Sequence, residues 1–137
     1  METTDFVSYD LALKLKACGF EEPCIAQWAC EPDGKPILVG STAFVFSNAE
    51  LKGRDVTAPL LYHAQKWLRE KKELFIEVSP NFGMRARATF GITSHEFTLF
   101  DSRGHIINDM DRSTYPSYEA ALSAGISAAL ELIKKGE

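Results

Sequence analysis

Apolar positions recur along the chain with two different periods, and the switches between them predict most of the elements. Leu11, Leu15 and Cys18 fall at helical spacing while Lys14 and Lys16 take other faces, so Ser8 to Cys18 reads as a first helix. Ser8 is placed to cap it, and Asp10 suits the positive end of its dipole. Gly19 stands where a left-handed residue closes a helix, with Phe20 able to pack back on Leu15. A hairpin follows, with strand formers over Cys24 to Cys30, the turn dipeptide Asp33-Gly34, and a second strand region over Ile37 to Phe46 that Gly40-Ser41-Thr42 interrupts. Ser47 to Thr57 is polar and predicts a mobile loop. Thr57 then opens a second helix, Pro59 being tolerated in its first turn, with Leu60, Leu61, Ala64, Trp67 and Leu68 on one stripe.

Beyond that helix the period changes again. Leu74, Ile76 and Val78 alternate with polar residues over Leu74 to Ser79 and predict a strand, which Pro80-Asn81-Phe82-Gly83 ends as a turn cluster. Arg87 to Thr93 and Glu96 to Asp101 read as two more strands, with a further short one at His105 to Ile107. The last helix is the clearest element. Ser117 caps it, Tyr118, Leu122, Gly125, Ile126, Ala129, Leu130 and Ile133 repeat at helical spacing, and Lys134 and Lys135 sit at its negative end. The expected fold is α+β, an antiparallel sheet with helices packed on it, in the order α-β-β-α-β-β-β-α. One domain over 1–137 is expected.

Composition supports a packed core. Of 137 residues, 45% are apolar and 25% charged, so no disulfide or metal staple is needed. The net charge of −4 argues against a partner held by electrostatics alone, whether nucleic acid or an anionic membrane. Glu2 and Asp5 stand where a secretory signal would be basic, and apolar runs such as Ala43 to Phe46 are too short to span a bilayer. The expected location is the cytoplasm. Cys18, Cys24 and Cys30 match no zinc spacing and are expected to be reduced thiols.

Candidate chemistry is sparse. His63, His95 and His105 share no chelating spacing. Asp109, Asp111 and Ser113 begin like a calcium loop, but its glycine and glutamate positions hold Thr114 and Ala120. No nucleophile elbow, dinucleotide fingerprint or phosphate-binding loop occurs. Catalytic, cofactor-binding and metal-binding residues are therefore expected to be none, and a small enzyme of unknown type ranks third among functions. Charge divides unevenly: Ala58 to Phe90 holds six bases (Lys66, Arg69, Lys71, Lys72, Arg85, Arg87) against three acids, net +3, leaving −7 elsewhere. Lys66, Arg69, Arg85 and Arg87 are the candidate nucleic-acid contacts. Helical rotation of about 100° per residue spreads the helix cations, so roughly three or four at most converge, fewer than a strongly salt-dependent binder uses.

Two resemblances bear on function. Ala58 to Lys135, read as α-β-β-β-α, resembles the double-stranded-RNA-binding domain, with Ser117-Tyr118-Glu119-Ala120-Ala121 similar to the start of its second helix. That family grips phosphates with lysines where this chain has Tyr118 and Glu119, so the RNA function is not implied. Phe6-Val7-Ser8-Tyr9, Cys18-Gly19-Phe20-Glu21-Glu22-Pro23-Cys24, Ala58-Pro59-Leu60, Trp67-Leu68-Arg69-Glu70-Lys71 and Tyr118-Glu119-Ala120-Ala121 together resemble a group of small uncharacterised proteins. These are encoded in phages, prophages and mobile elements of Bacteroides-type gut bacteria. The resemblance implies an accessory cytoplasmic protein and brings no functional residues. The leading expectation is a non-catalytic accessory protein that binds a protein partner. A nucleic-acid-binding module is the alternative, and neither a cofactor nor a membrane partner is expected.

Overall fold

The computed structural model describes residues 3–40, 45–85, 89–107 and 113–136. The chain is α+β, with three α-helices and two antiparallel sheets among the described residues. Its elements are α1 (Tyr9–Ala17), β1 (Ala26–Cys30), β2 (Pro36–Gly40), β3 (Val56–Thr57), α2 (Leu61–Lys71), β4 (Phe75–Arg85), β5 (Thr89–Phe100) and α3 (Tyr118–Lys135). Contacts gather into two compact units, Met1–Ala64 with Ile133–Glu137, and Gln65–Leu132. Among the described residues no helix is long and apolar enough to cross a membrane.

In the first unit, local signals build α1 as expected. Ser8 Oγ accepts from the Leu11 amide, and Gly19 adopts φ +92°. The Phe20 amide then reaches back to Leu15 O, and both side chains are fully buried. The sheet has the order β2-β1-β3, all antiparallel, with Trp28 opposite Leu38 on one side and Val56 on the other. Gly34 turns the β1–β2 hairpin at φ +88°. Ser41 and Thr42, expected to interrupt the second strand, lie outside the described residues; Cys24 and Phe46 form an isolated bridge beyond them.

Two expectations change here. Val56–Thr57 forms a strand instead of leading into a helix, so α2 begins at Leu61. The polar loop before it is also tied down. Asn48 is buried, its amide donates to Phe20 O at 2.8 Å, and its oxygen accepts from the Thr57 amide at 2.9 Å. Asp55 Oδ1 likewise accepts from the Cys30 amide at 3.0 Å. Polar composition read as mobility, whereas these side chains complete backbone hydrogen bonds that water would otherwise make.

The second unit is a long hairpin with a helix on one face. The two strands pair from Phe75↔Phe100 to Arg85↔Thr89. Among the described residues the three short strands expected after α2 are thus two long ones, α-β-β-α where the RNA-binding domain has α-β-β-β-α. Pro80-Asn81-Phe82-Gly83 lies inside β4 and makes no turn. A bulge explains the misreading: the register shifts between Asn81 and Phe82, leaving Thr93 as the extra residue of β5. That one-residue slip breaks the alternation of β5 into two runs, which imitate two strands. His105 to Ile107 contributes a single bridge, Phe100↔Ile106.

α3 seats closely on the hairpin because Gly125 has no side chain. A Cβ there would lie 2.8 Å from Ile76 Cγ2 and 3.2 Å from Phe97 Cγ. Ser117 caps the helix, its hydroxyl accepting from the Ala120 amide at 3.1 Å. Leu122, Ile126, Ala129 and Leu130 are buried. At the end of α2 the Leu74 amide returns to Leu68 O, and Glu73 takes the left-handed position at φ +55°. An L-residue pays there for its Cβ, so Glu73→Gly is expected to raise stability by about 1 kcal/mol. Urea denaturation checks this, and an unchanged or lower midpoint would contradict it.

Candidate functional site

Pairing and alternation sort the hairpin into two faces. Ile76, Val78, Pro80, Phe82 and Met84 of β4 share one face, paired with Leu99, Phe97, His95, Ile92 and Phe90 of β5. Thr93 makes this possible. Without the extra residue, Phe90 and Ile92 would fall on the face opposite Phe97 and Leu99. The other face carries Glu77, Ser79 and Asn81 with Thr98, Glu96 and Ser94, and the Asn81 amide donates to Ser94 Oγ at 3.1 Å.

α3 covers only part of the apolar face. Gly125 sits against Ile76 and Phe97, while Tyr118, the first residue of α3, places its ring edge-on to His95 at 6.3 Å. Beyond His95 the same face continues to the tip, and its side chains are open to solvent: Phe82 71%, Met84 65%, Phe90 71% and Ile92 40%. Their exposed surface is on the order of 400–500 Å², a size at which a patch on a monomer is often functional. From Val78 to His95 the only formal charges are Arg85 and Arg87, both positive, in a chain of net −4.

The hairpin edges differ. The outer edge of β5 is partly occupied, since His95 exchanges two backbone hydrogen bonds with Tyr115 and Leu99 O accepts from the Ile107 amide. At the base of β4, Gln65 Nε2 donates to Ile76 O at 2.9 Å, so the Ile76 carbonyl points away from β5. By alternation the backbone groups of Val78, Pro80, Phe82 and Met84 point the same way. No described strand pairs with that edge. Pro80, which has no N–H to offer, sits where none is required by the β4–β5 ladder.

The three candidate cations among the described residues do not share one place on the chain. Lys66 is exposed and Arg69 half-buried on α2, beside Gln65 at the base of the hairpin. Arg85 is the last residue of β4, nine positions beyond Ile76, or roughly 30 Å at the rise of an extended strand. Arg87, like Asp109 and Asp111, lies outside the described residues. Sequence reasoning missed Phe82, Met84, Phe90 and Ile92. Their signal was the paired spacing Phe82-x-Met84 and Phe90-x-Ile92.

The first unit holds a polar cluster with less chemical promise. Tyr9 donates its hydroxyl proton to Arg54 O at 3.1 Å, and the Cys30 thiol lies 3.5 Å from the same hydroxyl. The Cys30 hydrogen bond and partial burial hold the Tyr9 phenol above its ordinary pKa, so it keeps its proton and is no base. No disulfide joins Cys18, Cys24 and Cys30. No group of three or more potential metal ligands occurs among the described residues.

Burial pushes the Cys24 thiol up to about 11. Its folded pKa is raised, so Cys24 stays neutral at pH 7, and its contribution to stability falls as pH rises from the ordinary thiol range towards 11. Cys24 is expected to be the slowest of the three to react with iodoacetamide at pH 7.5, because the thiolate is the nucleophile. Peptide mapping of the alkylated protein checks this; labelling of Cys24 ahead of Cys30 would contradict it. No protein family, curated protein or solved structure matches the chain.

Proposed function

We propose that the chain is a non-catalytic accessory protein that binds a protein partner through the apolar tip of the β4–β5 hairpin. Its setting in this reading is a phage or mobile element, acting in the cytoplasm. One observation carries the interaction: Phe82, Met84, Phe90 and Ile92 share one face beyond the reach of α3 and remain exposed. Keeping two phenylalanines, a methionine and an isoleucine in water has a large solvation cost, which a partner surface relieves. Aromatic and methionine side chains are also the types enriched at protein interfaces. Between Val78 and His95 the sequence holds two arginines, too few for tight phosphate binding.

A photo-crosslinking residue placed at position 82, in cells that naturally encode the chain, tests the reading. A discrete protein adduct is expected, abolished by Phe90→Ser and absent when the crosslinker replaces Glu77 on the opposite face. Absence of any adduct, or an adduct with nucleic acid alone, would overturn it, the latter in favour of the nucleic-acid-binding module.

A further inference from the structure

We infer that Met84 is an oxidation site, at which a peroxide-class oxidant turns the hairpin tip from apolar to polar and closes it to the partner until the sulfoxide is reduced again. This rests on the tip being the partner-binding face. Two placements carry the inference. The Met84 side chain is 65% exposed, so its sulfur is open to small oxidants without any unfolding. It also stands inside the apolar face, with Phe90 directly across the hairpin and Phe82 two positions earlier on the same strand, each 71% exposed. A thioether reacts without first losing a proton, so access governs its oxidation. The three cysteines belong to the other compact unit, where Cys24 is buried and Cys18 and Cys30 are half-buried. Met84 is the one sulfur among the described residues of Gln65–Leu132.

A sulfur lone pair attacks the terminal oxygen of the hydroperoxide, and the S–O bond forms as the O–O bond breaks. Sulfur is oxidised by two electrons to the sulfoxide. The peroxide is reduced to an alcohol, or to water from hydrogen peroxide, as the proton of the attacked oxygen passes to the leaving one. Return takes a dithiol reductase, which becomes a disulfide while the oxygen leaves as water. The sulfoxide sets a strong hydrogen-bond acceptor beside Phe82 and Phe90. A surface that covers it strips that oxygen of water and must supply a donor or leave it unsatisfied. A partner seated on the tip shields the sulfur in turn, so oxidation acts on the free chain and keeps it free.

The probe is a peptide selected from a displayed library of random linear sequences for binding the intact chain but neither its Phe82→Ser nor its Phe90→Ser variant. The chain is partly oxidised with hydrogen peroxide and passed over the immobilised peptide, and both fractions are mapped for sulfoxide. The unretained fraction is expected to be richer in Met84 sulfoxide than the retained one by at least about tenfold, with other oxidation products divided evenly. Methionine sulfoxide reductases acting on both epimers are expected to return it to the retained fraction. Met84 is also expected to be oxidised within about fivefold of its rate in the urea-unfolded chain. Met84 sulfoxide shared equally between the fractions, retention that the reductases do not restore, or a larger gap in rate would overturn the oxidation site and leave the tip as a binding face. A library yielding no binder dependent on Phe82 and Phe90 would overturn that face, and the oxidation site with it.

Discussion

Ile126→Ala is expected to lower the unfolding free energy by about 2–5 kcal/mol, because it combines lost burial with a cavity that close-packed neighbours cannot fill. Ile126 is fully buried on α3 between Leu122 and Leu130, one turn either side. Gly125 beside it already brings the helix so close to Ile76 and Phe97 that a methyl group would clash. A helix seated that tightly has little freedom to settle into a hole, which favours the upper part of the range. Urea denaturation of the variant, compared with the parent at constant m-value, gives the number. A loss below about 1 kcal/mol would mean that the face of α3 collapses freely, contrary to a packed interior.

Asn48→Ala is expected to cost a similar amount, about 2–5 kcal/mol, for a different reason. The Asn48 side chain bridges two backbone groups far apart in sequence, Phe20 O and the Thr57 amide, in a buried place. Truncation strands both, and each unsatisfied buried group costs on the order of 1–3 kcal/mol. Asn48→Asp keeps the acceptor for Thr57 but removes the donor to Phe20, and buries a charge. It is therefore expected to be at least as damaging as Asn48→Ala near neutral pH. Denaturation of both variants checks this. An Asn48→Ala protein as stable as the parent would show that the loop needs no internal tether.

What was legible in the sequence was local. The caps at Ser8, Gly19 and Ser117, and the stripes of α1 and α3, depend on neighbours within a turn or two, so residue types and spacing suffice. What was not legible depends on distant partners. Val56–Thr57 is a strand because β1, some thirty residues earlier in the chain, pairs with it; nothing in two residues announces that. Pro80 and Gly83 read as turn formers, yet Pro80 sits at an outward-facing edge position and Gly83 packs beside the bulge, its Cβ site 3.1 Å from Thr93 Cγ2. The slip at Thr93 hid the continuity of β5. The candidate site was invisible for a related reason. Alternating apolar residues at 82, 84, 90 and 92 look like core until it is known that α3 starts at Tyr118, beside His95, and that these four side chains stay exposed. Charge, by contrast, was fully readable, and drew attention to Lys66, Arg69, Arg85 and Arg87, of which the described three divide between the two ends of the hairpin.

The most direct test of the hairpin tip as a partner-binding face is to measure the affinity of the crosslinked partner, once purified, for the parent chain and for Phe82→Ser combined with Phe90→Ser. Both side chains are largely exposed, so the variant is expected to melt within a few degrees of the parent while its Kd rises at least about thirtyfold, the weakening that corresponds to losing roughly 2 kcal/mol at an interface centre. An unchanged Kd in a normally folded variant would contradict the account.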